Sequence, residues 1–245
     1  MASKPMVTAL FGSTGLVGSH ILTTLLASAD FGTVHTISRR EPKQATTDGG
    51  SSTKLAATVE PATDKWAASI ATLDPRATAV VSAVGTTRAA AGGIANQWKI
   101  DHDLNVELAR AAKAAGARVF VFVSSGGTRG LLASASPWAK MKNGVEDCVK
   151  EQGFDNAVIL RPGLIVGQRE SHRSAEGLFQ SLANGIGSLS QGAKDAFAQD
   201  ADVIARAAVA ALCHVNEGTA PDKYWVLEQA DIVRLGRNEW KEPPN

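Results

Sequence analysis

Three glycines spaced three apart, in Gly12-Ser13-Thr14-Gly15-Leu16-Val17-Gly18, constrain this chain more than any other feature. They follow the apolar run Val7 to Phe11. They precede Leu16 to Leu26, where Ile21, Leu22, Leu25 and Leu26 recur at helical spacing. Val34 to Ile37 then reads as a second strand. Strand, glycine turn, helix and strand within about 30 residues is the size of a βαβ unit. The first glycine permits a tight turn, the second lets a pyrophosphate approach the backbone, and the third lets helix and strand pack closely. Amide N–H groups at the helix start face the phosphates, and Ser13 and Thr14 add hydroxyl donors. The sequence therefore predicts a dinucleotide site over Gly12, Ser13, Thr14, Gly15, Leu16, Val17 and Gly18.

The alternation continues downstream. Leu55 to Val59, Ala79 to Val84, Val119 to Val123 and Ala157 to Leu160 read as further strands. Trp66 to Leu73, Leu104 to Ala115 and Trp138 to Gln152 read as helices between them. Strands that alternate with helices and are apolar throughout predict a parallel sheet covered on both faces. The fold class is thus α/β, a doubly wound parallel sheet of the Rossmann type. Lys43 to Lys54, rich in Thr, Gly and Ser, reads as a surface loop. After Pro162 the pattern loosens until a helix from Ala201 to His214, a late strand Tyr224 to Leu227 and a helical turn Ile232 to Arg237. We read residues 1–245 as one domain, with a dinucleotide-binding core over 1–163 and a dependent substrate-cap region over 164–245.

Composition excludes other classes. With 25 Lys and Arg against 24 Asp and Glu, the net charge is +1, so the clustered basic surface of a nucleic-acid binder is not expected. Cys148 and Cys213 are too few and too distant for a disulfide framework or zinc site, and a reducing compartment is expected. No metal is called for. No run approaches the roughly 20 apolar residues of a membrane span, and the short polar start before Met6 is unlike a signal peptide.

The second strand ends in Ser38-Arg39-Arg40. An NAD site usually places an acid there for the ribose 2′-hydroxyl. Arg39 and Arg40 instead suit a 2′-phosphate held by charge-assisted hydrogen bonds, which makes NADP(H) the expected cofactor. A solvated basic pair is the alternative, and Glu41, an acid one position late, argues mildly against NADP(H). In a doubly wound sheet the ligand lies beyond the carboxyl ends of the strands. Gly85, Thr86 and Thr87, after the fourth strand, are therefore expected to line the cofactor. Arg88 is either an anion contact or a surface charge.

The order of these motifs resembles the short-chain dehydrogenase/reductase superfamily, in its extended and atypical branch. The nearer likeness is to the Tat-interacting oxidoreductase-like proteins and their fungal relatives of the mitochondrial outer membrane. It rests on Val84-Gly85-Thr86-Thr87-Arg88, Ile100-Asp101-His102-Asp103, Val123-Ser124-Ser125, Leu160-Arg161-Pro162-Gly163 and Gln168-Arg169-Glu170-Ser171-His172-Arg173, and covers essentially the whole chain. The resemblance implies catalysis by a serine, a tyrosine and a lysine beside a nicotinamide. Ser125 matches the serine and Lys142 the lysine. The tyrosine position, four residues before Lys142, holds Trp138, whose indole only donates a hydrogen bond and does not titrate near neutrality. Asp101 stands where the superfamily often carries Asn. The resemblance also places Ser124, Lys142, Arg161, Pro162, Gly163, Leu164 and Ile165 along the nicotinamide half of the cofactor. Arg169 and Arg173 fall at the start of the cap, as anion clamps or as partners of Glu170 and Glu176.

Three functions fit. The first is an NADP-dependent oxidoreductase acting on a carbonyl or enone small molecule, with Lys142, His172, Asp101, Tyr224 or water supplying the proton. The second is a redox-silent NADP(H)-binding regulatory protein. The third is a non-redox isomerase or cyclase reusing the fold. No nucleic-acid partner is expected, and the chain is expected to be a monomer or homodimer. A cytoplasmic location and peripheral association with the cytosolic face of the mitochondrial outer membrane fit the residues equally.

Overall fold

The computed structural model describes residues 4–45, 53–130, 135–167, 195 and 197–242. The first strand, β1 (Met6–Phe11), leads through the glycine turn into α1 (Leu16–Ala27) and back to β2 (Phe31–Ser38). There follow β3 (Leu55–Val59), a short helical stretch containing α2 (Trp66–Ser69), and β4 (Ala79–Ser82). Helices α3 (Arg88–Ala91) and α4 (Ile94–Trp98) run into a π-helical turn, Lys99–Asp103, and then α5 (Leu104–Ala114). Next come β5 (Val119–Val123), α6 (Pro137–Glu151), β6 (Asn156–Leu160) and β7 (Leu164–Val166). The last elements are β8 (Ala198–Asp200), α7 (Ala201–Glu217), β9 (Tyr224–Leu227), α8 (Gln229–Val233) and a second π-helical turn, Arg234–Asn238.

Seven strands form one sheet in the order β3-β2-β1-β4-β5-β6-β9, and every pairing in it is parallel. This is the expected doubly wound sheet. Side chains alternate across it because successive residues of a strand face opposite ways. In β5, Val119, Val121 and Val123 point into one core with α1 and α7. Phe120 and Phe122 point into the other with α5 and α6. The central strands β1, β4, β5 and β6 are therefore dry on both faces, which explains their apolar runs, while β3 at the edge is half-buried to exposed.

Order reverses between β1 and β4, the topological switch point where such sheets hold ligands. The stretch after Gly163 contributes to the main sheet as well as to its rim: β9 pairs with β6, while β7 and β8 form a separate parallel pair. That pair was not anticipated, since Leu164–Val166 is only three residues long and Ala-Gln-Asp carries no strand pattern. The helices between Arg88 and Trp98 were also missed, because Gly92 and Gly93, both at positive φ, split them into pieces of four and five residues. The helix expected over Trp66 to Leu73 is broken into short 3-10 and α turns.

Phe120 is fully buried between α5 and α6 and stacks on Phe154 with ring centroids 5.3 Å apart. Phe120→Ala is expected to lower unfolding free energy by about 3–5 kcal/mol in a denaturant titration.

Candidate functional site

The glycine turn is a backbone-on-backbone contact. Gly12 has φ +84°, a conformation side chains disfavour. A Cβ there would lie 2.7 Å from the carbonyl carbon and oxygen of Ala83, at the end of β4. A Cβ on Gly18 would strike the carbonyl of Gly12, and one on Gly15 would stand 3.2 Å from the same oxygen. The Gly15 N–H donates to the Gly12 carbonyl at 2.9 Å and closes the turn. Ser13 is fully buried, and its Oγ finds no partner in the protein among the described residues. The glycines thus let turn, strand and helix meet by backbone alone, and the start of α1 beside the unpaired Ser13 hydroxyl is compatible with a phosphate group. Of the two arginines after β2, Arg40 reaches back to this turn, donating from its guanidinium to the Thr14 carbonyl at 3.3 Å. Arg39 is exposed beside it.

Across the switch point, the end of β4 is held by the π-helical turn. The Thr86 N–H donates to Asp101 Oδ1 at 2.6 Å, and the Gln97 amide donates to Asp101 Oδ2 at 3.1 Å. In the π-turn the carbonyls pair five residues on, as in the Leu104 N–H to Lys99 O bond. Asn105, fully buried, adds further bonds to them: its amide donates to Ile100 O at 3.0 Å and Asp101 O at 3.2 Å, while its Oδ1 accepts from Ser82 Oγ. Thr87 caps α3, its Oγ1 accepting from Ala90 N–H at 3.1 Å. Gly85 lies between these groups; a Cβ on it would be 3.5 Å from Asp101 Oδ1 and 3.8 Å from Lys142 Nζ.

Helix α6 starts at Ser136, whose Oγ accepts the Ala139 N–H at 3.2 Å. Trp138, Lys142 and Glu146 follow at spacing four and share one face. Exposure falls along that face: Trp138 is 40% exposed, Lys142 is buried, and Glu146 is completely buried. The Lys142 ammonium sits 5.1 Å from the centroid of the Phe122 ring. Burial lowers its pKa, while the charges of Asp101 and Glu146 oppose that shift without cancelling it.

Glu146 is the residue that sequence reasoning missed. Its carboxylate accepts Ser124 Oγ at 2.6 Å, Arg161 at 2.6 and 3.2 Å, and Arg129 at 3.1 and 3.3 Å. Arg161 also pairs with Glu228 at 2.9 Å, and Tyr224 Oη donates to the Glu146 backbone carbonyl at 3.2 Å. The hydroxyl of Ser124 and the guanidinium of Arg161 thus hold the ends of β5 and β6 against α6. Burial pushes the Glu146 carboxyl up, but hydrogen bonds from Arg161 and Ser124 and the charge of Arg161 outweigh it and bring it below its ordinary value. A helix position four beyond Lys142 was a visible signal; that two arginines converge on it was not.

The remaining residues flank this cluster. The Gly126 N–H donates to Pro162 O at 2.6 Å, bringing the loop after Ser125 against Arg161-Pro162-Gly163. The Gly163 N–H is taken by the side chain of Gln199 at 2.6 Å. Leu164 and Ile165 lie in β7, opposite Ala198 and Gln199. Gly167, just beyond, approaches Leu16 so closely that a Cβ would lie 2.9 Å from Leu16 Cδ1. Arg88 is exposed at the start of α3. Arg169, His172, Arg173 and Glu176 lie outside the described residues. Cys148 and Cys213 are both free, and among the described residues no helix is long and apolar enough to cross a membrane.

The ion pairs of Glu146 make a pH prediction. A carboxyl lowered by folding stabilises the fold fully above its ordinary value of 4.5, and that contribution is lost as pH falls through the lower folded value. Glu146→Gln, which leaves Arg161 without its buried partner, is expected to cost about 3 kcal/mol near neutral pH. The gap from wild type should shrink as pH falls below that ordinary value, read from denaturant midpoints across an acid series.

Comparison with known proteins places this geometry. Residues 9–226 match the model of the NAD dependent epimerase/dehydratase family. The chain is 56% identical over 98% of its length to "Protein fmp-52, mitochondrial" of Neurospora crassa, covering 99% of that protein. It is 56% identical over 96% of its length to "Protein fmp52-2, mitochondrial" of Aspergillus oryzae, covering 98% of it. Among solved structures, the Bordetella bronchiseptica enzyme WbmH in complex with NAD+ superposes with TM-score 0.64 at 18% identity, over 91% of this chain and 74% of that one. A UDP-glucose 4-epimerase of Thermotoga maritima gives 0.62 at 15% identity, over 98% and 86%. By sequence and by sheet order, the chain belongs to the NAD dependent epimerase/dehydratase family, within the extended short-chain dehydrogenase/reductase superfamily.

Proposed function

We propose that the protein is an NADP(H)-binding oxidoreductase of a small carbonyl or enone compound, with a proton relay that does not use an aromatic hydroxyl. The observation that carries the cofactor reading is the Gly12–Gly18 cradle with the orphaned Ser13 hydroxyl and Arg40 folded back on Thr14. Solved neighbours described in complex with NAD support the ligand class. Arg39 and Arg40 would hold the 2′-phosphate, the glycine turn the pyrophosphate, and Gly85, Thr86 and Lys142 the nicotinamide half. The nicotinamide, when bound, supplies or accepts hydride. The chain's part is to orient the substrate oxygen near Ser125, exclude water and manage one proton.

The relatives' names favour a mitochondrial location, and we extend this to peripheral attachment at the cytosolic face of the outer membrane. A redox-silent, cofactor-sensing role is the second reading. It is favoured by the half-exposed Trp138 at the tyrosine position, since indole cannot relay a proton.

Calorimetry should show NADPH bound more tightly than NADH by about tenfold to a hundredfold, the worth of one charge-assisted hydrogen-bond set. Arg39→Ala combined with Arg40→Ala should erase the difference and leave NADH affinity nearly unchanged. Equal affinity in the wild type would refute the NADP assignment. Trp138→Tyr separates the two readings. Carbonyl reduction present in the wild type supports the oxidoreductase, whereas reduction appearing only in the variant supports the silent role.

A further inference from the structure

Asp101 and Lys142 are two buried, opposite charges left over once every other strong pairing at the site is made. Asp101 is 1% exposed, and among the described residues its two oxygens accept only from uncharged groups, the Thr86 N–H and the Gln97 amide. Among the described residues no cation lies within ion-pair distance of it. Lys142 donates no hydrogen bond to a described residue and faces the Phe122 ring from β5, which carries no charge. Two acids face its ammonium: Asp101 from the π-turn and Glu146 from its own helix. Glu146 already serves Arg161 and Arg129, so Asp101 is the acid whose charge is left for Lys142. Both groups look onto one point above Gly85, where an added carbon would sit 3.5 Å from Asp101 Oδ1 and 3.8 Å from Lys142 Nζ. An atom placed there touches an acceptor and a charged donor together.

We propose that this point is the protonation site of the cleft: Lys142 gives a proton to an oxygen or nitrogen held above Gly85 and later recovers one, and Asp101 is the positioning residue that holds the ammonium's charge. In that step an N–H bond of the ammonium breaks, an O–H or N–H bond forms on the bound group, and the lone pair stays on the neutral amine, which takes up one proton from bulk solvent, so that one H+ is consumed per cycle. The burial that lowers the Lys142 pKa makes its proton easier to release. The assignment deepens the oxidoreductase reading and rests on it for the identity of the bound group, though not for the coupling of the two side chains.

The coupling can be read without turnover. Amine labelling across a pH series, followed by peptide mass spectrometry, compares Lys142 with the exposed Lys140 on the same helix. Lys142 is expected to reach half-maximal labelling at lower pH than Lys140, and at lower pH still in Asp101→Asn. Asn keeps the acceptor for Thr86, and Gln97 can turn its amide. Asp147→Asn, an exposed acid on α6, should leave the Lys142 midpoint in place. Calorimetry of NADP+ binding in two buffers of different ionisation enthalpy should show proton release, because a cationic ring enters beside Lys142. Lys142→Met should abolish that release. A Lys142 midpoint equal to that of Lys140, a midpoint unmoved by Asp101→Asn, or binding without proton release at any pH would overturn the proposal. Absence of NADP+ binding would instead sink the oxidoreductase reading, while the labelling series still decides whether the two side chains are coupled. If Asp101→Asn does not fold, the wild-type comparison with Lys140 and the calorimetric arm each remain decisive.

Discussion

The close approach of two backbones at Gly12 sets the geometry on which the rest depends. The Gly12 turn leans on the carbonyl of Ala83, and α1 begins with Gly18 against the carbonyl of Gly12. No side chain fits at either place, so strand, turn and helix meet at a distance only bare backbone allows. That contact lies at the switch point between β1 and β4. It sets the start of α1 against the end of β4, next to Gly85. The proposed phosphate and nicotinamide halves of the cofactor site would meet across it.

Helix α6 supplies the second half through a gradient along one face. Its outer end shows Trp138 to the cleft rim, its middle buries Lys142, and its inner end buries Glu146 among arginines. An unpaired buried ammonium is costly to keep, and such groups concentrate where proton chemistry is done. The Glu146 network bears the opposite meaning. It is a satisfied set of ion pairs that fixes the end of β6 to α6 and keeps the Arg161-Pro162-Gly163 loop in place beneath the cleft.

Much of this could be read from the residues, and what could not has physical causes. The central strands β1, β4, β5 and β6 announce themselves by apolar runs because they are dry on both faces, and the long helices α1, α5, α6 and α7 by apolar residues at helical spacing. The glycine turn was legible because close backbone contact leaves a residue-specific mark. The Glu146 network was not, since Ser124, Arg129, Arg161 and Glu228 are scattered over about a hundred positions and meet only when β5, β6, β9 and α6 are assembled. Ser124 and Arg161, expected along the nicotinamide half of the cofactor, also bond Glu146 through the hydroxyl and the guanidinium, a link their sequence positions do not reveal. Asp101 looked like a departure from Asn, yet its carboxylate holds the backbone of Thr86. The π-turn that presents it has no sequence signature.

Phosphorus NMR of NADPH titrated with the protein tests the central claim most directly, because it reports the pyrophosphate and the 2′-phosphate separately. Binding through the glycine turn with Arg39 and Arg40 on the ribose predicts that both sets of resonances shift or broaden together. A pyrophosphate signal that stays sharp at saturating protein would contradict the account at its root.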